Sequence, residues 1–294
     1  MKKILITGAG SYIGCATEEY LNTFEGEYQV DTLDMLDSGW KEKSFEGYDS
    51  IFHVAGIAHS DNGKISRERE ALYYAVNTDL TVEVATKAKN EGVHQFIFMS
   101  SAIVYGDSAP IGRQKRITKD TPLNPANCYG DSKVQAEKGI LPLQSDSFNV
   151  AVLRPPMIYG KGSRGNYPVL RKLALKLPVF PKVQNERSML YIENLTEFVR
   201  LIIDNNDKGI FWPQNKEYSN TCELVRLIAA AHGKKPLLLA GFTPLLKLAS
   251  HLTGLVNKAF GSLSYDEALS VYHTEYRKFS LKESINKTEN KEQQ

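Results

Sequence analysis

Ile4-Leu5-Ile6-Thr7-Gly8-Ala9-Gly10-Ser11-Tyr12-Ile13-Gly14 joins a short apolar run to a glycine turn, and a helical stretch, Ala16 to Phe24, follows directly. The run is long enough for a buried strand. Strand, glycine turn and helix N-terminus together make a pyrophosphate cradle, because free backbone N–H groups and the positive end of the helix face the anion. Asp34 lies twenty residues past Gly14, after the apolar stretch Tyr28 to Leu33. An acid at that spacing takes the adenosine ribose hydroxyls of NAD. A 2′-phosphate calls for an arginine instead, and none occurs before Arg67. The pattern therefore favours NAD over NADP.

Farther along stand Ser100-Ser101 and Tyr129-Gly-Asp-Ser-Lys133. Residues four apart share a helix face, so Tyr129 and Lys133 point the same way. A free phenol titrates near pH ~10 and is a poor base at neutrality. A lysine ammonium beside it is expected to favour the phenolate. Bringing the phenol to about 7 corresponds to roughly 4 kcal/mol of differential stabilisation. A serine hydroxyl then relays the proton or holds the substrate oxygen. Oxidising a secondary alcohol needs these parts: a base for the hydroxyl proton and an acceptor for the hydride.

Strands are predicted over 3–7, 29–33, 50–54, 95–100 and 149–153, and helices over 14–23, 72–90 and 129–138. Their alternation argues for an α/β fold with a parallel, doubly wound sheet. Ser100 and Ser101 then end a strand and Tyr129 opens the next helix, over the carboxyl edge of the sheet. Only sixteen residues separate Asp34 from Ile51, too few for a full second crossover helix. Pro155-Pro156 and the segment 161–166 mark the departure into a second lobe, so the division is expected as 1–156 and 157–294, with part of the latter returning to the first domain.

The chain resembles the extended short-chain dehydrogenase/reductases of the nucleotide-sugar epimerase and dehydratase type, near the UDP-glucose 4-epimerase-like branch. The matching stretches run in order: Thr7 to Gly14, Asp34, His53-Val-Ala-Gly56, Asn77, Ser100-Ser-Ala-Ile-Val-Tyr-Gly106, Tyr129 to Lys133, Arg154-Pro155, and Arg187 to Leu195. The resemblance implies a Rossmann domain with a smaller C-terminal substrate-binding lobe, NAD as cofactor and a homodimer. It implies Ser101, Tyr129 and Lys133 as the catalytic trio. Gly8, Gly10, Ser11, Tyr12, Ile13, Gly14, Asp34, Ala55, Gly56, Asn77 and Pro155, with Tyr129 and Lys133, are the implied cofactor positions. Asn166 and Arg187 are the implied substrate contacts, Arg187 for the nucleotide diphosphate. Two departures stand out. Ser11 occupies the usual middle glycine, with Gly10 one place earlier. The later R-x-G-D diphosphate contact is replaced by Lys258-Ala-Phe-Gly-Ser262, leaving Lys258 as the candidate substitute.

In the resembled dehydratases and decarboxylases an acid follows the catalytic serine by one or two places. Here Ala102 and Ile103 stand there and transfer no protons. Two chemistries remain: a UDP-hexose 4-epimerase, which is favoured, and a reductase of a UDP-4-keto-6-deoxy sugar. A non-catalytic NAD-binding protein is the reading from another class, and the complete trio speaks against it.

Net charge is +2, from 36 basic and 34 acidic residues, which gives no field that would attract nucleic acid. Cys15, Cys128 and Cys222 are odd in number and far apart, suit a reducing cytoplasm and show no zinc spacing. The six histidines show no paired spacing either, so no metal is expected, and His53 is read as a structural strand residue. Met1-Lys2-Lys3 and the apolar residues after them are read as a first strand, because Gly8 and Gly10 interrupt the run and no cleavage pattern follows. Residues 237–263 are strongly apolar, yet Gly241, Pro244, Lys247, His251 and Lys258 break them, so no membrane span is expected there. They are read as a helical part of the substrate lobe, the sharper alternative being a surface that rests on a membrane. The tail from Lys282 to Gln294 is polar, and its end is expected to be disordered.

Overall fold

The computed structural model describes residues 1–57, 65–252 and 254–290, without the side chains at 249–252, 254, 255 and 258. His59 and the side chains of His251 and Lys258 therefore lie outside the described residues. The first elements in order are β1 Lys2–Thr7, α1 Tyr12–Leu21, β2 Tyr28–Leu33, β3 Ser50–His53, α2 Arg67–Tyr74, α3 Leu80–Asn90, β4 Gln95–Met99, β5 Arg116–Ile117, α4 Cys128–Ile140 and β6 Asn149–Leu153. Next come β7 Met157–Tyr159, α5 Asn166–Lys176, β8 Val179–Pro181, β9 Met189–Tyr191, α6 Ile192–Asp204, β10 Gly209–Phe211 and α7 Thr221–Ala231. The chain continues through β11 Leu237–Leu239, α8 Thr243–Leu252, α9 Gly254–Phe260, β12 Ser264–Tyr265 and α10 Leu281–Glu289.

Two compact units result. The first comprises 1–106, 122–155 and 195–213, and the second 107–121, 156–194 and 214–294. Residues 107–121 join the second unit because β5 pairs in parallel with β12. Residues 195–213 join the first because β10 pairs with β6.

The first unit is built on a six-stranded parallel sheet of order β10-β6-β4-β3-β1-β2. β3 pairs with β1 on the side opposite β2, so the strand order reverses there. Among the described residues no strand lies outside β2, where the doubly wound order 3-2-1-4-5-6 would place one. The short link between β2 and β3 explains this. It holds a single 3₁₀ turn, Ser38–Lys41, and sends Trp40, Phe45 and Tyr48 into the core beside Leu5, Ile51 and Val84. The Tyr48 hydroxyl also donates to Asp31 on β2 at 2.6 Å. Burying large side chains of this kind contributes about 1.5–3 kcal/mol each, so the link covers the sheet without a helix.

Helices pack on both faces. Val84, Ala85 and Ala88 of α3, with Ala136 and Ile140 of α4, join that same cluster. α1 and α6 are tied together where Tyr20 donates to Glu197 at 2.8 Å, and α6 is tied to β2 where Tyr28 donates to Asp204 at 2.6 Å. α2 and α3 form one run interrupted by a π turn at Ala75–Asp79, an irregularity that often marks a functional position and here carries Asn77.

Among the described residues the second unit holds three two-stranded parallel pairs, β5–β12, β7–β9 and β8–β11. Its last helix corrects the reading of the tail from Lys282 onward as simply polar. Leu281, Ser284, Ile285 and Glu289 of α10 are buried. Glu289 accepts from Tyr167 at 2.8 Å and from Arg171 at 2.7 Å, and its other contact is His232 Nε2 at 2.7 Å. No described helix is long and apolar enough to cross a membrane.

Candidate active site

The carboxyl ends of five strands of the first unit gather most of the singled-out residues. Thr7-Gly8 ends β1, Asp34 follows β2, Val54-Ala55-Gly56 follows β3, Ser100-Ser101 follows β4, and Arg154-Pro155 follows β6. Parallel register makes this inevitable, since all these ends share one edge.

The glycine turn is shaped by two strict contacts. Gly8 has φ +110°, and a Cβ there would come within 2.7 Å of the Ala55 nitrogen. Its N–H and that of Ala9 donate to the Leu33 carbonyl at 2.9 and 3.1 Å, which sets Asp34 next to the turn. Ser11, the departure from the usual glycine, is the N-cap of α1, and its hydroxyl accepts from Gly14 N at 3.1 Å. A Cβ at Gly14 would strike that hydroxyl at 2.6 Å. Serine therefore satisfies one helix donor, while the first-turn N–H groups at Tyr12 and Ile13 form the anion-facing end of the helix. A cradle that a Cβ would fill, at the N-terminus of a helix and beside an acid, fits a dinucleotide.

Gly56, Asn77 and Lys133 also meet. A Cβ at Gly56 would lie 2.9 Å from Asn77 Oδ1 and 3.3 Å from Lys133 Nζ. Asn77 is fully buried; its Oδ1 accepts from Ile57 N at 2.8 Å and its Nδ2 donates to Ser132 Oγ at 3.0 Å. Asn77 therefore pins the start of the segment after β3 to α4.

Tyr129 and Lys133 lie one turn apart on α4, whose N-cap Asn127 accepts from Gly130 N at 2.9 Å. Ser101 faces the Tyr129 hydroxyl closely enough to favour its phenolate, and the Tyr73 ring lies 6.1 Å from that of Tyr129. Burial pushes the Tyr129 phenol up to about 12, opposed by the Ser101 hydrogen bond. This departs from the expectation that Lys133 lowers the phenol. Lys133 Nζ donates instead to the Met99 carbonyl at 2.9 Å and sits 4.6 Å from the centre of the Phe98 ring. Burial brings the Lys133 ammonium down to about 8, partly offset by Glu137. Desolvation is the largest influence on both groups.

Sequence reasoning missed the support beneath them. Glu137 lies four residues past Lys133 on the same helix face. It accepts from Arg154 Nε at 3.1 Å and NH2 at 2.5 Å, and from Ser100 Oγ at 2.5 Å. Arg154 NH1 donates to Tyr105 Oη at 2.7 Å, which also accepts from Trp212 Nε1 at 2.7 Å. The available signal was an arginine closing an apolar strand and an acid on the buried face of α4. His53 is structural as expected: its ring contacts Thr7 and Thr81 hydroxyls at 2.7 and 3.1 Å and stacks near Phe96. Burial lowers it to about 3, so it stays neutral.

Of the expected substrate residues Ser101 belongs to the first unit, and Asn166, Arg187 and Lys258 to the second. Asn166 opens α5 and is exposed. Arg187 NH1 donates to the Ala259 carbonyl at 3.3 Å, and burial lowers its guanidinium to about 10. Tyr167, next to Asn166, is buried, with its hydroxyl on Glu289.

A family model described as "NAD dependent epimerase/dehydratase family" matches residues 4–212. A UDP-glucose 4-epimerase of Vibrio cholerae is 31% identical over 290 residues, covering 90% of this chain and 87% of that protein. An N-acetyl-alpha-D-glucosaminyl-diphospho-ditrans,octacis-undecaprenol 4-epimerase of Escherichia coli O157:H7 is 26% identical over 254 residues, covering 79% and 73%. Among solved structures, the UDP-glucuronic acid 4-epimerase of Bacillus cereus in complex with NAD superposes with a TM-score of 0.73 at 16% identity, covering 97% of this chain and 95% of that one. The last likeness concerns the fold alone.

Proposed function

Because this chain belongs to the NAD dependent epimerase/dehydratase family, we propose that it is a nucleotide-sugar epimerase that inverts C4 of a UDP-hexose. The observation that carries this reading is Tyr129 facing Ser101 with Lys133 one turn along α4, at the same sheet edge as the glycine cradle. Bound NAD would supply the hydride acceptor and donor for C4. Gly8, Gly10, Ser11, Tyr12, Ile13 and Gly14 would receive its pyrophosphate, Asp34 its ribose, and Ala55, Gly56, Asn77 and Pro155 the remainder.

Tyr129 takes the proton from the C4 hydroxyl and later gives it back. Ser101 holds the same oxygen and supplies the hydrogen bond that opposes the rise in the phenol. Lys133 holds the second proton of the pair. Ala102 and Ile103 offer no acid for elimination, so oxidation and its reversal exhaust what the site can do. Arg187, whose desolvated guanidinium gains from an anion, is assigned to the diphosphate with Asn166 and Lys258. We further infer a cytoplasmic homodimer. The three cysteines form no disulfide, in keeping with a reducing compartment, and the dimer rests on the family resemblance and is read by sedimentation.

The pair sets the pH profile. The productive form, phenolate with ammonium, has lost one proton from the fully protonated pair, as has the form with neutral lysine. The first proton leaves near the Lys133 value of about 8 and the second near the Tyr129 value of about 12. kcat/KM should climb about tenfold per pH unit up to about pH 8 and then level. Lys133→Met should move the shoulder upward toward the phenol. A shoulder that stays put in that variant would remove Lys133 from the pair.

Asp34 should repel a 2′-phosphate, so NAD(H) should bind at least about tenfold tighter than NADP(H) in a fluorescence titration. Equal affinities would separate Asp34 from the ribose. The function itself is tested on a panel of UDP-hexoses and their N-acetyl forms. Interconversion of C4 epimers without net consumption of NADH is expected. Stoichiometric oxidation of NADH by a UDP-4-keto-6-deoxy sugar, with no interconversion, would make the protein a reductase.

A further inference from the structure

Charge is distributed very unevenly along the chain. Segments 156–185 and 224–265 hold eleven of the 36 Lys and Arg and none of the 34 Asp and Glu, leaving 25 basic against 34 acidic residues elsewhere. The two segments meet inside the second unit, where β8 pairs with β11 in the register Leu237↔Val179 and Leu239↔Pro181. Alternation along a strand puts Val179, Leu237 and Leu239 on one face of that ribbon, and that face is open: Leu237 is 58% exposed. Phe242, Leu245 and Leu248 follow at a spacing of three across the start of α8, with Leu245 60% and Leu248 65% exposed. Directly before the two strands, Lys176, Lys234 and Lys235 line a groove of about 450 Å³ together with Leu177, Pro178 and Pro236. Lys234 Nζ is steered over it by donating to the Leu175 carbonyl at 2.7 Å.

We propose that this face rests on a bilayer carrying anionic phospholipids, with the leucines of the β8–β11 ribbon and α8 dipping into the acyl boundary and the lysine groove receiving lipid phosphates. Charge complementarity selects this occupant. The two segments that supply this apolar patch and its lysines contain no carboxylate of their own, which matches a negatively charged lipid surface. A second copy of the chain would set the same cations against each other. Spanning is excluded for the described helices, none of which is long and apolar enough. The reading concerns this face alone and stands apart from the proposed C4 chemistry.

The test is flotation of the full-length protein with vesicles of phosphatidylcholine alone and of phosphatidylcholine with about one third phosphatidylglycerol. The bound-to-free ratio on the anionic vesicles should exceed that on the neutral ones by at least about tenfold and collapse at high salt. Leu245→Ser/Leu248→Ser and Lys234→Glu/Lys235→Glu should each lower it by at least about tenfold. Because these side chains lie at the surface, circular dichroism melts should match the parent. Equal partition onto both vesicles, or variants that bind like the parent, would overturn the proposal. So would self-association without vesicle binding, abolished by Leu245→Ser/Leu248→Ser, because the face would then belong to a second copy.

Discussion

Tyr129→Phe should lower kcat by about 10²–10⁴ while leaving the melting temperature and NAD binding nearly unchanged. The substitution removes one hydroxyl and keeps the ring against Tyr73. The lost hydroxyl is the one that faces Ser101, so the base disappears and Ser101 keeps its place through the Ile103 N–H, which donates to its Oγ at 3.3 Å. In free energy the loss is roughly 3–5 kcal/mol of transition-state stabilisation. Steady-state kinetics on the preferred epimer, with a thermal melt beside them, read the two halves. A variant that kept more than about a tenth of the parent kcat would show that another group takes the proton.

Glu137→Ala should act in the opposite way, through the fold. Glu137 and Arg154 have 2% and 7% side-chain exposure, and the carboxylate answers Arg154 twice and Ser100 once. Removing one partner strands a buried guanidinium, which costs about 3–5 kcal/mol. For a chain of this size the melting temperature should fall on the order of ten degrees. Glu137→Leu/Arg154→Leu, which removes both charges, should recover most of that loss, since replacing a buried pair by apolar groups is often nearly neutral. Calorimetry of both variants decides it. A single variant within about 1 kcal/mol of the parent would mean that the pair behaves like a solvated surface bridge. Tyr129 and Glu137 lie two turns apart on α4, and because Glu137 also raises the Lys133 ammonium, the melt of Glu137→Ala, not its rate, reads the support.

The glycine turn was legible because its requirements are local. A buried strand, positive φ and a helix N-terminus all fall within eleven residues, from Ile4 to Gly14. The missing helix between Asp34 and Ile51 was legible from length alone. What was not legible depended on distant partners. β10 has three residues and no periodicity of its own, and it becomes a strand by pairing with β6. The π turn that turns Asn77 inward leaves no mark in a helical pattern. The polar stretch at the C-terminus concealed a helix because its buried acid, Glu289, is satisfied by Tyr167, Arg171 and His232 from far earlier in the chain. The phenol's direction was misread for a related reason. Spacing puts Tyr129 and Lys133 on one face but says nothing of burial, and burial is the larger effect on both.

The central claim is that hydrogen leaves C4 and returns to the same carbon within one binding event. A UDP-hexose deuterated at C4, equilibrated with the enzyme in ordinary water with unlabelled NADH present, tests it most directly. The account predicts that mass spectrometry finds the deuterium retained at C4 in both epimers, with slower turnover than the unlabelled sugar. Loss of the label to water or to the cofactor pool would contradict it.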